Sequence, residues 1–330
     1  MTASPEPAAP TRSSRQRVPD FFIVGHAKSG TTALYEMLKR HPQIYMPESK
    51  EPWFLASDMR RRFQPPGSGV PPETLEEYLA LFEGAAPEQR AGEASSSYLW
   101  SRTAAAAIAE LQPDARIIAI LREPASFLRS LHLQLLQTHV ESEKDLRKAM
   151  SLEGPRREGK RIPRRSHRPQ LLQYSDHVRY VEQLRRYHSL FAPEQVLTLI
   201  YDDFRRDNEA TVRKVLGFLG VDDSYPVDVL SANPTILIRS QQLDQMVHAV
   251  SVGRGPVSGA ANRMLKTLTP RQVRRGLLRL TQRRVVYGKP RPADEEFMLE
   301  LRTRFKGEVV ALSEYLDRDL VSLWGYDDVG

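Results

Sequence analysis

Residues Phe21 to Leu34 read FFIVGHAKSGTTAL, and this stretch constrains the fold more than any other. Four consecutive apolar residues, Phe21 to Val24, form a short buried-strand run that Gly25 ends. His26 to Gly30 make a turn, and Thr31 to Leu34 open a helix expected to continue to about Arg40. A strand that feeds a small-residue loop into a helix N-terminus is an anion site. The loop N–H groups converge on one point, and the helix dipole adds positive potential there.

Set against the Walker A pattern G-x-x-x-x-G-K-[ST], Gly25, Gly30 and Thr32 match. Thr31 stands in the lysine place, and the lysine sits three residues earlier, at Lys28. The cradle is kept while the cation approaches from the loop. The hydroxyl that holds magnesium in nucleotide triphosphatases no longer follows a lysine. The loop therefore suits a phosphate-like anion without the usual metal–nucleotide apparatus.

The rest of the chain supplies the same alternation. Ile44 to Met46 read as a short strand, and Pro47 to Leu55 (PESKEPWFL) as a loop whose acids include Glu51, set between Lys50 and Pro52-Trp53-Phe54. Residues 60–73 are a connection, and a short helix follows near Thr74–Phe82. Ala91 to Leu99 (AGEASSSYL) is a strand end running into a serine-rich turn, and a helix spans about Arg102–Leu111. Arg116 to Leu121 (RIIAIL) suits the centre of a parallel sheet, with Arg122 at its carboxyl end and Pro124 in the first turn of the next helix. Ser175 or Asp176 is expected to cap a helix burying Val178, Val181, Leu184, Tyr187 and Leu190. Val196 to Tyr201 is a third core strand, followed by a helix over Asn208–Leu219 and a closing one over Asp294–Leu316, with Trp324 as an anchor. Strands alternating with helices predict an α/β fold of three layers, a central, mostly parallel sheet flanked by helices, with ligands at the strands' carboxyl ends.

Composition narrows the chemistry. The chain has 330 residues and no cysteine, which excludes disulfides, thiolate zinc sites and thiol nucleophiles. It lacks an apolar run of about 18 residues, so no spanning helix is expected. Residues 1–18 read as a disordered leader, 19–330 as a single domain, and the location as cytoplasmic. Between Asp244 and Asp294 stand eleven cations and no acid, although the whole chain carries only +7. This basic, partly helical insertion at about 240–292, with a second cluster from Arg156 to Arg168, suits weak contact with an anionic membrane, an anionic substrate or a solvated face.

Arg122 and Ser130 lie eight residues apart, at a strand end and on the following helix, where a guanidinium and a hydroxyl converge on a second phosphate. With these residues in place, the sequence resembles the sulfotransferases that use 3′-phosphoadenosine 5′-phosphosulfate (PAPS), in their bacterial and heparan-type branch. GHAKSGTTAL at 25–34 looks like their 5′-phosphosulfate loop and LREPASFLRS at 121–130 like their 3′-phosphate motif. PESKEPWFL, GEASSSYL at 92–99 and YDDF at 201–204 add to the likeness, and YGKPRPAD at 287–294 matches more loosely. The resemblance covers about residues 20–220 and, less closely, the last forty.

It implies a P-loop NTPase-like sulfotransferase fold and sulfuryl transfer from PAPS to a hydroxyl or amine, leaving adenosine 3′,5′-bisphosphate (PAP), with no metal. It gives Lys28 the sulfuryl and bridging oxygens, and Ser29, Gly30, Thr31 and Thr32 the 5′-phosphate. Arg122 and Ser130 take the 3′-phosphate, Tyr201 the adenine, Lys289 a supplementary 3′-phosphate contact, and Glu51 the role of catalytic base. The acceptor is a small molecule, sugar or glycolipid. The Arg- and Ala-rich composition points to bacterial specialised metabolism. Two other readings compete: a P-loop kinase or NTPase, and a basic protein binding nucleic acid or a membrane surface. The first lacks a lysine at 31. The second leaves the anion loop without a purpose, and no specific nucleic-acid partner is expected.

Overall fold

The computed structural model describes residues 16–59, 72–164, 166, 168–227 and 292–330, together with the short strands 237–238 and 287–288 as backbone. Five strands form one sheet: β1 (Phe21–Gly25), β2 (Ile44–Tyr45), β3 (Arg90–Ala94), β4 (Arg116–Leu121) and β5 (Val196–Ile200). All neighbours pair in parallel, in the order β2-β3-β1-β4-β5. The strand that feeds the anion loop is thus central. Phe21 lies opposite both Gly92 of β3 and Arg116 of β4.

Helices cover both faces. They are α1 (Thr31–Leu38), α2 (Leu75–Ala80), α3 (Ala104–Leu111), α4 (Pro124–Gln137), α5 (Leu146–Ser151), α6 (Glu153–Arg157), α7 (Tyr180–His188), α8 (Tyr201–Arg206), α9 (Asn208–Leu219), α10 (Glu295–Tyr315) and α11 (Leu320–Trp324). The strand period of two sorts the apolar residues between two cores. Phe22, Val24, Ile117 and Leu121 pack with α3, α4, α7 and α10, while Phe21, Ile23, Ile118 and Ile120 pack with α1 and α9. A sheet buried on both faces explains why β1 and β4 are unbroken apolar runs. Among the described residues no helix is long and apolar enough to cross a membrane.

Several boundaries differ from the sequence reading. Tyr201 does not end β5; it opens α8. Neither Ser175 nor Asp176 caps a long helix: both lie in a short 3-10 turn over Tyr174–Val178, and α7 begins at Tyr180 with no side-chain cap. Leu190 falls beyond α7 and is 47% exposed. Arg156 leaves the second basic cluster altogether. Its guanidinium is buried and makes a two-pronged ion pair with Glu141 at 2.7 and 2.8 Å. Most of the expected basic insertion, Lys289 included, lies outside the described residues. At its two ends Leu237–Ile238 (β6) and Tyr287–Gly288 (β7) pair antiparallel.

Candidate active site

Gly30 makes the turn into α1. Its φ of 92° is left-handed, and a Cβ there would stand 2.9 Å from the Phe204 ring, so both backbone and space require glycine. No side chain caps α1 and its first turn carries no acid. The N–H groups of its first turn are therefore left for a ligand, and Thr31, Thr32 and Ala33 line a cleft at the carboxyl ends of the strands.

Lys28 enters that cleft from a left-handed loop position, φ 63°. Its ammonium makes no hydrogen bond or ion pair with a described residue. Burial, and then the neighbouring Arg122 guanidinium, lower its pKa from the usual lysine value. Both effects penalise the charged form, and an anion in the cleft relieves both. Ser29 behaves differently from the expectation. It is fully buried, its N–H bonds the His26 carbonyl at 3.2 Å, and its hydroxyl turns to the Ala27 carbonyl. Its side chain is not part of the cleft lining.

Arg122 comes from the tip of β4, next to β1, and its Nη1 donates to the Lys28 carbonyl at 2.9 Å. The guanidinium lies 4.7 Å over the Tyr201 ring, so Tyr201 braces the arginine as well as lining the cleft. On α4, Ser130 is 4% exposed, and its hydroxyl, like Arg122 Nε, is buried without a hydrogen-bond partner. Buried polar atoms are nearly always paired. These two, facing a cleft that already holds an uncapped helix end, are what an additional phosphate would satisfy. Gln134, one turn beyond Ser130, lines the same cleft; the i, i+4 spacing is a signal that would have found it. Glu123 holds this region in shape. Its carboxylate caps α4 through Ala125 N (2.9 Å) and Ser126 N (2.7 Å) and accepts the Tyr326 hydroxyl at 2.6 Å.

Glu51 reaches the cleft from the other side. Its φ of 64° and that of Trp53, 52°, fold the loop back on β3. Four donors occupy its carboxylate: Lys50 Nζ (2.8 Å) and Ser96 Oγ (2.7 Å) on Oε1, Trp53 Nε1 (2.8 Å) and Ser96 N (3.0 Å) on Oε2. The ion pair with Lys50 is present, and Glu51 lines the same cleft as Lys28. Ser96, which the sequence reading left without a role, is the residue that aims the carboxylate. His26 sits behind the loop. Its Nε2–H donates to the His177 carbonyl at 2.9 Å and its ring meets Phe127 edge-on at 4.4 Å. Burial, then His177, drive its pKa down to about 3, and burial takes His177 down to about 4.

The described structure thus brings Lys28, Gly30, Thr31, Thr32, Glu51, Arg122, Ser130 and Tyr201 to one cleft of about 200 Å³. A cleft of about 290 Å³ opens at the opposite ends of the strands, lined by Arg17, Asp20 and Gln43 among others. The Arg17–Asp20 ion pair at 2.7 Å neutralises it in part, and no helix N-terminus of the anion loop faces it.

Residues 18–252 match the family model of the sulfotransferase domain. Human carbohydrate sulfotransferase 15 is 29% identical over 161 residues, a match covering 35% of this chain and 27% of that protein. The membrane-associated sulfotransferase kil1 of Dictyostelium discoideum is 28% identical over 120 residues, 36% of this chain and 24% of its own length. The matches span about a quarter of the length of these curated relatives. A sulfotransferase structure from Alicyclobacillus acidocaldarius superposes with a TM-score of 0.64 at 26% identity, covering 93% of this chain and 99% of that one. A parallel sheet with its anion loop on the central strand, and a family match over most of the described sheet, lead to one conclusion: the chain belongs to the sulfotransferase domain family.

Proposed function

We propose that this protein moves a sulfuryl group from PAPS to a hydroxyl or amine of a small-molecule, sugar or glycolipid acceptor, releasing PAP. One observation carries the choice of donor. Arg122, and the unpartnered buried hydroxyl of Ser130, stand beside the phosphate loop on the adjacent strand and its helix. The residues present fit a nucleotide with phosphates at both ends of its ribose. The uncapped first turn of α1 and Lys28 would hold the phosphosulfate, and Arg122 with Ser130 the 3′-phosphate.

In the transfer, the bond from sulfur to the 5′-phosphate oxygen breaks and a bond from sulfur to the acceptor oxygen or nitrogen forms. Lys28 neutralises the charge that the leaving phosphate gains. Glu51 takes the acceptor's proton. Its oxygens already accept four donors, so the Ser96 hydroxyl, a free rotor, is the partner that yields its place to the acceptor. Positioning and electrostatics do the remainder, as in phosphoryl transfer. The relative named for carbohydrate supports a sugar hydroxyl among the acceptors.

Calorimetry with PAP, AMP and ATP tests the donor site. PAP is expected to bind at least about tenfold more tightly than AMP, the worth of one or two charge-assisted hydrogen bonds. Magnesium is expected to change little. Ser130→Ala should narrow the gap between PAP and AMP. Equal affinity for both in the wild type removes the role given to Arg122 and Ser130. Incubating PAPS with acceptor libraries and detecting added sulfate by mass identifies the acceptor.

A further inference from the structure

The last turns of the chain reach back to the donor site. Asp319 caps α11 by accepting the Ser322 N–H at 2.9 Å, and Gly325 ends that helix in a left-handed conformation, φ 70°. The Tyr326 N–H then closes on the Val321 carbonyl at 2.9 Å, as it does where a glycine turns the chain back at a helix stop. Trp324 and Tyr326 are thereby laid against the body of the domain, 6% and 0% exposed. The family match ends at residue 252, so this segment lies outside it.

Three of its side chains land beside donor-site residues. Trp324 Nε1 donates to Asp202 Oδ2 at 2.9 Å, and Asp202 follows Tyr201. Arg318 Nη1 pairs with Asp203 Oδ2 at 2.6 Å. The Tyr326 hydroxyl donates to Glu123 Oε1 at 2.6 Å, and Glu123 follows Arg122.

The acids contacted belong to elements that need an outside hold. Helix α8 has six residues, too few to keep its shape in water unaided. Towards the cleft, Tyr201 lies under the Arg122 guanidinium and Phe204 packs on Gly30. Asp202 and Asp203 tie the same helix to the C-terminal segment. Glu123 has a matching position: it caps α4, the helix of Ser130, and follows Arg122, whose carbonyl accepts the Tyr180 hydroxyl at 2.9 Å.

Among the described residues Arg122 has no carboxylate partner. Its guanidinium is placed by the Lys28 carbonyl and by the Tyr201 ring. A cation over a ring is held only while the ring stays within about 6 Å of it. The guanidinium therefore follows the ring, and the ring follows α8.

We propose that Trp324 and Tyr326 are positioning residues for recognition of a 3′-phosphate. The bond to Asp202 sets the angle of α8, and so of the Tyr201 ring beneath Arg122; the bond to Glu123 sets the start of α4, and so Ser130. That the ligand is a 3′-phosphate rests on the function proposed above; the bracing of Arg122 and α4 does not.

Calorimetry with PAP and AMP on the full chain tests this, the readout being the ratio of the two affinities. Loss of folded protein, or of the adenine and 5′-phosphate contacts that both ligands share, lowers both affinities, so the ratio isolates the 3′-phosphate. Trp324→Phe and Tyr326→Phe each remove one donor and keep an aromatic ring. Each should lower the preference for PAP about threefold to tenfold, the scale of a single hydrogen bond. Asp202→Ala, at a part-exposed position, breaks the Trp324 bond from the other side without disturbing the C-terminal packing. It should give the same fall as Trp324→Phe, and the double variant no more than either, because all three break one bond. Leu323→Ala, at a 38% exposed position of α11, should keep the wild-type ratio. With a wild type that prefers PAP, an unaltered ratio in Trp324→Phe or Tyr326→Phe removes that residue from the role. Unaltered ratios in both overturn the proposal, as do losses that add in the double variant or an equal fall in Leu323→Ala. A wild type that binds AMP as tightly as PAP overturns the donor assignment, and the selectivity role with it.

Discussion

Lys28 shows how one residue is made useful by an unfavourable place. It is held in a left-handed backbone, part-buried and near Arg122, and the last two penalise an ammonium that has no anion. Under the proposed function a phosphate in the cleft relieves that penalty, so binding would be favoured at the point where charge is to develop. Lys28→Ala should stay folded by circular dichroism and lose about 10²–10³ in kcat, the usual worth of one donor aimed at developing charge. Glu51→Gln should also fold and lose turnover, since it keeps the shape but not the proton acceptor. Normal kcat in either variant removes that residue from the mechanism. That Lys28, Arg122 and Ser130 line one cleft agrees with what loop and motif spacing, which are local, suggest. The burial of the Ser29 hydroxyl was not legible in the chain, since a serine in a glycine-rich loop carries no mark of which way it faces.

Among the elements, the junction of β1 and α1 concentrates the constraints. Gly30→Ala needs a left-handed φ and a shift of the Phe204 ring, so it should lower stability by at least about 1 kcal/mol in urea titration and weaken PAP binding as the first turn of α1 moves. A protein as stable as the wild type would show that the turn tolerates a side chain. Between α4 and α6, the Arg156–Glu141 pair is a second element-scale feature. Tyr174 and the backbone amides of Ser142 and Glu143 fill the remaining acceptor sites of Glu141. Arg156→Ala strands that carboxylate and should cost about 3–5 kcal/mol, read from the denaturation midpoint. Helix ends and strand runs were legible from Pro124, Asn208–Leu219 and the RIIAIL run. Tyr201 was misplaced because strand and helix propensities are nearly level at an aromatic residue followed by two aspartates, and the packing of Phe204 against Gly30 decides.

Over the whole molecule, the two histidines buried behind the loop set an acid limit. Their folded pKa values, about 3 for His26 and about 4 for His177, lie below the free value of 6.5. The unfolded chain therefore binds protons that the fold refuses. The neutral histidines' contribution to stability is complete above pH 6.5 and is lost as pH falls towards 4 and 3. Each histidine steepens the fall by up to about 1.4 kcal/mol per pH unit. His177→Phe should make the slope of unfolding free energy against pH shallower by one proton between 6 and 4. An unchanged slope would show that His177 is not kept neutral.

Phe21 to Leu34 specified its own strand, loop and helix, and periodicity marked the core faces, because such preferences act over a few neighbouring residues. Pairing order was decided only by the assembled sheet. It put the tip of β4 beside β1, so that Arg122 reaches the Lys28 carbonyl, and put the turn after β3 under Glu51. It also buried Arg156, which by composition alone belongs to a solvated basic cluster. Contacts between residues 45 to 94 positions apart depend on which strands become neighbours and which charges lose water, and no short stretch of chain carries that information.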